Sequence, residues 1–187
     1  MNITISNLAN LPSRFGNFKV QAFKEGEKEH LVIFKENLDE TPIVRIHSEC
    51  LTGDAIGSLK CDCRDQLEYA LSLAEKTNGM VIYLRQEGRN IGLLNKINAY
   101  ALQDEGYNTV EANHQLGFKA DERSYEVVTF ILKHFKIKQI KLLTNNPDKI
   151  KSIQDIKIVE RIPIIMQGNK FNQDYLDVKR DEMGYLF

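Results

Sequence analysis

Between residues 62 and 143, helix-period segments alternate with short apolar runs, and this rhythm limits what the chain can become more than any other feature. Over 62–78, Leu67, Ala70, Leu71 and Ala74 fall at i, i+3, i+4 and i+7, one face of a helix, with Gly79 at its C′ position. The apolar run 80–84 follows at once. A second helix is predicted over 92–105, ended by Gly106. A third is predicted over 121–135, with Val128, Ile131, Leu132 and Phe135 on one stripe, and the strand 139–143 comes next. Upstream, residues 18–23, 30–34 and 43–46 are rich in β-branched and aromatic side chains, separated by Gly26 and the polar stretch 37–42. The expected fold is therefore α/β (in the wider sense α+β): an N-terminal β layer followed by a sheet covered by helices, in a single compact domain. Its chemistry should sit on the loops at strand ends.

A chain of 187 residues with 42% hydrophobic content buries a sufficient core without disulfides or a structural metal. Any metal is then expected for a local reason. The balance of 25 Lys plus Arg against 26 Asp plus Glu argues against a nucleic-acid polymer as partner, but leaves room for a small anion in a local pocket. Residues 1–16 carry neither a basic segment nor an apolar one, and no apolar run approaches the ~20 residues of a membrane span. A cytoplasmic protein with no membrane partner is expected.

The three cysteines, an odd number, all lie between 50 and 63. Random placement would cluster them so only about once or twice in a hundred, so the spacing needs a cause. Cys61 and Cys63, one residue apart, and Cys50 from the preceding loop together offer three sulfurs to one borderline-soft cation, for which zinc is best suited. Either His47 closes the site as Cys₃His, or the fourth position stays open for catalysis. A second group, Arg85-Gln86-Glu87-Gly88-Arg89, follows the strand 80–84. It has guanidinium forks for phosphate and a carboxylate for the N–H groups of a base, although a solvated turn would read the same. In 120–123, Asp121 reads as a helix cap and Arg123 as its neighbour's partner. Thr144-Asn145-Asn146-Pro147-Asp148-Lys149 reads as a turn feeding a helix, and its Thr and Lys would equally suit phosphate.

Taken together, RIHSECLTGDAIGSLKCDC, RQEGRNIGLLNKINAYALQDEGY, NHQLGFKADER and LLTNNPDK, in this order over residues 45–149, resemble the GTP cyclohydrolase II family. The resemblance implies hydrolysis of GTP at C8 of the guanine ring, with release of formate and pyrophosphate. The product would be 2,5-diamino-6-(5-phosphoribosylamino)pyrimidin-4(3H)-one, in the first step of riboflavin biosynthesis. It also implies Zn²⁺ held by Cys50, Cys61 and Cys63 with water in the fourth position, Mg²⁺ with the triphosphate, and a homodimer. Arg45, Ile46, His47, Ser48, Glu49 and Gln66 would surround GTP, together with Glu87, Gly88, Arg89, Thr109, Thr144 and Lys149. Asp121 and Arg123 would be catalytic, Arg123 either covalently or as a charge clamp, and Tyr100 would lie near the reacting centre.

On this resemblance the whole of 1–187 is one such domain, with no room for a fused synthase domain, and 171–187 is a tail that packs on a partner subunit or stays mobile. Two competing readings are a paralogue that stops at the formamidopyrimidine and a non-catalytic nucleotide-binding module with structural zinc. Tyr100 together with Asp121 and Arg123 favours full turnover over the module.

Overall fold

Alternate residues of the apolar runs face opposite ways, as a pleated strand requires. Val32 and Phe34 pack on one side and Ile33 on the other; Met80, Ile82 and Leu84 oppose Val81 in the same manner. Both sides are thus apolar and both need cover. The computed structural model describes residues 2–186, and these form one eight-stranded sheet. Its strands are β1 (Ile3–Ile5), β2 (Ala9–Ser13), β3 (Gly16–Glu25), β4 (Lys28–Phe34), β5 (Ile43–Ser48), β6 (Met80–Leu84), β7 (Gln139–Leu143) and β8 (Lys157–Ile162). The order is β1-β3-β4-β6-β5-β7-β8, with β2 also paired to β3. β1 to β4 pair antiparallel, β4 runs antiparallel to β6, and β6, β5, β7 and β8 are parallel. The N-terminal β layer is therefore the antiparallel half of one continuous sheet.

The helices are α1 (Leu51–Asp54), α2 (Cys63–Thr77), α3 (Gly92–Asp104), α4 (Thr109–Gln115), α5 (Glu126–His134), α6 (Pro147–Ser152) and α7 (Gln173–Asp181). On one face α2 presents Ala70 and Ala74 to Phe18, Ile33 and Val81. On the other, α5 seats Val128, Ile131 and Leu132 among Phe23, Val44 and Ile82. Among the described residues, no helix is long and apolar enough to cross a membrane.

Two local readings of the sequence need correction. The left-handed residue that ends α2 is Asn78, at φ 49°, and not Gly79. Gly79 is small for another reason: a Cβ there would stand 2.7 Å from the Ile43 carbonyl oxygen. Helix α5 begins at Glu126, not at 121, so Asp121 caps no helix. The backbone of 120–124 is held instead by the loop after β6: Glu122 N–H donates to Arg89 O at 3.2 Å, Arg89 Nη1 to Ala120 O at 3.1 Å, and Gln86 Nε2 to Ser124 O at 2.5 Å. Those bonds replace the i→i−4 ladder that a helix would have needed.

The order β6-β5-β7 places the C-terminal ends of three parallel strands side by side. The loops leaving Ser48, Leu84 and Leu143 consequently open onto one edge, the usual position of a ligand crevice in such sheets.

Candidate active site

A single cleft at that edge is lined by the loops after β5, β6 and β7 and by residues from α2, α3 and α7. At one end sit the three sulfurs. Cys50 follows β5, while Cys61 and Cys63 flank the start of α2; their Sγ atoms all lie within 4.8 Å of one another, with Cys50 and Cys61 3.7 Å apart. This is the only group of three or more His, Cys, Asp or Glu ligand atoms of that kind among the described residues. Gly53 makes the close approach possible, since a Cβ there would stand 2.8 Å from Cys61 Sγ and 3.1 Å from Cys50 Sγ. Three thiols this close cannot all ionise unaided. Contact with Cys61 and Cys63, helped by the Lys96 ammonium, drives the Cys50 thiol far down, and contact with Cys50 pushes Cys61 up to about 11 and Cys63 well above its ordinary value. A divalent cation removes the conflict, so the donor set fits zinc.

His47 does not join the sulfurs. Its Nε2 lies 3.2 Å from both Asp54 carboxylate oxygens, and its ring stacks on Tyr83 at 5.4 Å between centroids. Burial lowers its pKa despite Asp54, so the imidazole is held neutral. Asp54 organises this corner further, accepting from Cys50 N–H at 3.0 Å and Tyr83 Oη at 2.7 Å. Lys96 Nζ donates to Cys50 Sγ at 3.0 Å and to Glu87 Oε1 at 2.7 Å. Tyr100, one turn along α3, reaches the same corner through Thr52, with Oη 3.3 Å from Thr52 Oγ1. Sequence reasoning found Tyr100 but missed Lys96, although the i, i+4 spacing puts both on one helix face. Nothing in the sequence pointed to Asp54.

The loop after β6 is strained. Gly88, Arg89 and Asn90 adopt φ of 60°, 58° and 76° in succession. For the two non-glycine residues this costs about 1–3 kcal/mol each, a cost usually found where a site demands it. Glu87 anchors the loop, with Oε2 accepting from Leu51 N–H at 2.6 Å and Oε1 from Gly88 N–H at 2.9 Å. Most of its acceptor capacity is thereby spent on holding the loops together. Glu49 is likewise paired, with Arg85 Nε at 2.9 Å.

The opposite end of the cleft is cationic. Arg45 donates through Nη1 to Leu143 O at 3.1 Å and through Nη2 to Gln66 Oε1 at 2.5 Å; Lys149 Nζ donates to Ile46 O at 2.8 Å. Arg123 is clasped by Asp121, with Nε 2.8 Å from Oδ1, and its Nη1 lies 3.3 Å from Ser48 Oγ. Arg45 Nε and Arg89 Nη2 are buried with no hydrogen-bond partner in the protein, donors of the kind that folded chains complete with a ligand or an ordered water. Thr109 and Thr144 complete the lining. Of the residues expected around GTP only Ile46 turns its side chain away, into the core; it offers the cleft no more than its carbonyl. Asp121 stands behind Arg123 rather than in the lining. Tyr175, Lys179 and Tyr185, all after residue 171, also line the cleft, and no sequence signal marks them.

Burial first, then Arg45 and Arg123, hold the Lys149 pKa well below its ordinary 10.5. A lysine depressed in this way makes the unfolded chain bind more protons, so stability rises with pH from the depressed value up to about 10.5. Lys149→Met removes the cost of burying a lysine beside two guanidinium groups, several kcal/mol, and takes away the hydrogen bond to the Ile46 carbonyl, worth about 0.5–1.5 kcal/mol. The first effect is larger. The melting temperature of the ligand-free variant at pH 7 should therefore rise by about 2–4 °C per kcal/mol relieved, and the gain should vanish towards pH 11. A variant less stable than the parent at pH 7 would contradict a buried charge at this position.

The sequence pattern of the family described as GTP cyclohydrolase II matches residues 4–163. The GTP cyclohydrolase-2 of Campylobacter hominis is 70% identical over 186 residues, covering all of this chain and 96% of that one. The protein of the same name from Helicobacter pylori is 53% identical, over 98% of each chain. Among solved structures, a two-domain 3,4-dihydroxy-2-butanone 4-phosphate synthase from A. baumannii aligns at 15% identity with a TM-score of 0.44, over 88% of this chain and 40% of that one.

Proposed function

Because this chain belongs to the GTP cyclohydrolase II family, we infer that it is the hydrolase that takes GTP in the first step of riboflavin biosynthesis. It opens the guanine ring at C8 and releases formate and pyrophosphate, leaving the diaminopyrimidinone monophosphate. The observation that carries this reading is one cleft lined both by a trio of sulfurs and by buried guanidinium donors without a partner in the protein. A base to be hydrolysed and a polyphosphate to be held need those two chemistries in one cleft.

Cys50, Cys61 and Cys63 hold the zinc ion. Bound there, zinc supplies Lewis acidity and lowers the pKa of water, which is the activation that hydrolysis of an amidine-like carbon and of a formamide both need. Tyr100, whose pKa burial raises, keeps its proton on Oη as a donor beside the sulfurs. Glu87 and Lys96 fix the loop that faces the base. Arg45, Arg89, Thr144 and Lys149 bind the triphosphate. Mg²⁺ would accompany the triphosphate, its preference being for phosphate oxygens.

Arg123 acts as a charge clamp. Burial opposes its charge, but the Asp121 carboxylate, 2.8 Å from Nε, favours the guanidinium, and Arg123 pulls the Asp121 carboxyl down against its own burial. Proton transfer from Arg123 to Asp121, which a covalent route would require, therefore runs uphill. A homodimer in the cytoplasm completes the proposal. Leu93, Leu94 and Ile97 of α3 and Leu51, Ile56 and Leu59 beside it are exposed apolar side chains that a second copy would cover.

The test is to incubate the purified protein with GTP, Mg²⁺ and Zn²⁺ and to measure formate, pyrophosphate and the pyrimidine separately. All three should appear in equal amounts. A formamidopyrimidine in place of the diaminopyrimidinone, with no formate, would indicate a ring opening that stops at the formamide, and no turnover would leave a nucleotide-binding module.

A further inference from the structure

The family match ends at residue 163, yet the chain from Asn172 onward forms one wall of the cleft. Its docking reaches both ends of the site. Lys179 Nζ donates to Asp62 Oδ1 at 3.0 Å, both side chains being buried, and Asp62 stands between two of the cysteines. Gln66 Nε2 donates to the other oxygen of Asp62 at 2.5 Å, and Gln66 in turn accepts from Arg45. At the far end Tyr185 Oη lies 3.3 Å from Arg123 Nη2 and 3.1 Å from Asn146 Nδ2, and Leu186 N–H donates to Asn145 O at 2.8 Å. The Lys179 ammonium also stands 4.1 Å from the Tyr175 ring centroid.

The charges decide what this wall is for. Beyond Lys60 and Lys96 near the sulfurs, five further cationic side chains, Arg45, Arg89, Arg123, Lys149 and Lys179, line the cleft; Asp62 is clasped to Lys179 and Asp121 to Arg123, and Glu49 and Glu87 in the lining are paired with Arg85 and Lys96, so the cleft keeps a cationic excess. A tail serving only as cover would bring apolar side chains to the cleft. This one brings the Lys179 ammonium, held by Asp62 on the cysteine side and 5.7 Å from the Tyr185 ring centroid, and the Tyr185 hydroxyl beside Arg123, both polar groups that a polyanion in the cleft could engage.

We propose that segment 172–186 is part of the substrate site, with Lys179 and Tyr185 as binding residues for the phosphate chain, so that a polyphosphate and the docked tail stabilise each other. This rests on the reading of the cleft as a GTP site and deepens it.

The probe is inorganic triphosphate, used on the full zinc-loaded chain. At ten times its Kd it should slow tryptic cleavage after Lys170 and Arg180 by about tenfold, because the cleavable form is the one that does not bind. Tyr185→Phe should weaken triphosphate by about three- to tenfold and Lys179→Met by about tenfold or more, with a matching rise in KM for GTP. Inhibition by guanosine, which has no phosphate, should be unchanged in both. A merely structural role would move guanosine and triphosphate together, and that result would overturn the proposal. So would tail cleavage at the same rate with and without triphosphate, an arm that needs no substitution. Tail protection in a protein that releases no formate from GTP would sink the catalytic reading and keep this one. Turnover of GTP with an unprotected tail would do the reverse.

Discussion

Cys61→Ser is expected to abolish formate release, to below about 1% of the parent, and to lower bound zinc in proportion, because a borderline-soft ion loses one of its three sulfur ligands. Cys50→Ser and Cys63→Ser should behave alike. The fold should survive, since the two apolar clusters on either side of the sheet contain none of these sulfurs. Circular dichroism and a cooperative melt check that point, and metal analysis with a formate assay checks the rest. Part of the pyrophosphate release should persist, because the guanidinium and ammonium groups at the other end of the cleft remain in place. Retained ring opening in the triple serine variant would remove zinc from the chemistry. Outright unfolding on metal removal would make the site structural.

Arg123→Ala should reduce pyrophosphate release by at least about a hundredfold, as expected when a buried charge-assisted contact to a phosphoryl group is lost. It should also destabilise the protein by about 1–3 kcal/mol, since the half-buried Asp121 carboxylate loses its guanidinium and keeps only the backbone N–H of residue 123. The two effects come apart in the double variant Asp121→Asn/Arg123→Ala, which should recover much of the stability and none of the pyrophosphate release. Arg123→Lys separates the possible roles of the guanidinium. A clamp is partly restored by an ammonium, and mass spectrometry of quenched parent protein should then find no nucleotidyl adduct. An adduct on Arg123, or unchanged pyrophosphate release in Arg123→Ala, would refute the clamp.

Candidate ligands for a soft metal and for phosphate were legible from residue types. Sulfur ligands, guanidinium forks and a strand-to-helix loop carry their chemistry with them, so Cys50, Cys61, Cys63, Arg89 and Lys149 stand out in the sequence, whereas Arg45 enters only through the resemblance to the family. The core strands and α2, α3 and α5 were legible for a related reason: their buried faces repeat at a period of 2 or 3.6. The short elements were not. β2 is exposed along its whole length and β8 along much of it, so neither has an apolar alternation to read. Helix α4 is seven residues long and is marked chiefly by its Asn108–Glu111 capping box, a signal that was overlooked.

What the sequence determined by itself was therefore local: which segments bury a face, and which side chains can bind a soft metal or a phosphate. How distant side chains are shared out depends on the folded arrangement. Asp54 was invisible as the acceptor for His47, Tyr83 and the Cys50 amide, because its partners lie up to 29 residues away and no period links them. Asp121 looked like a helix cap until the loop after β6 took up the backbone of 120–124. Lys179 meets Asp62 across 117 residues, and a polar helix near the end of a chain has the same sequence whether it is solvated or forms the wall of a site. Periodicity reports the face that an element buries; the pairing of buried charges depends on where the sheet order brings the loops, and only the fold sets that.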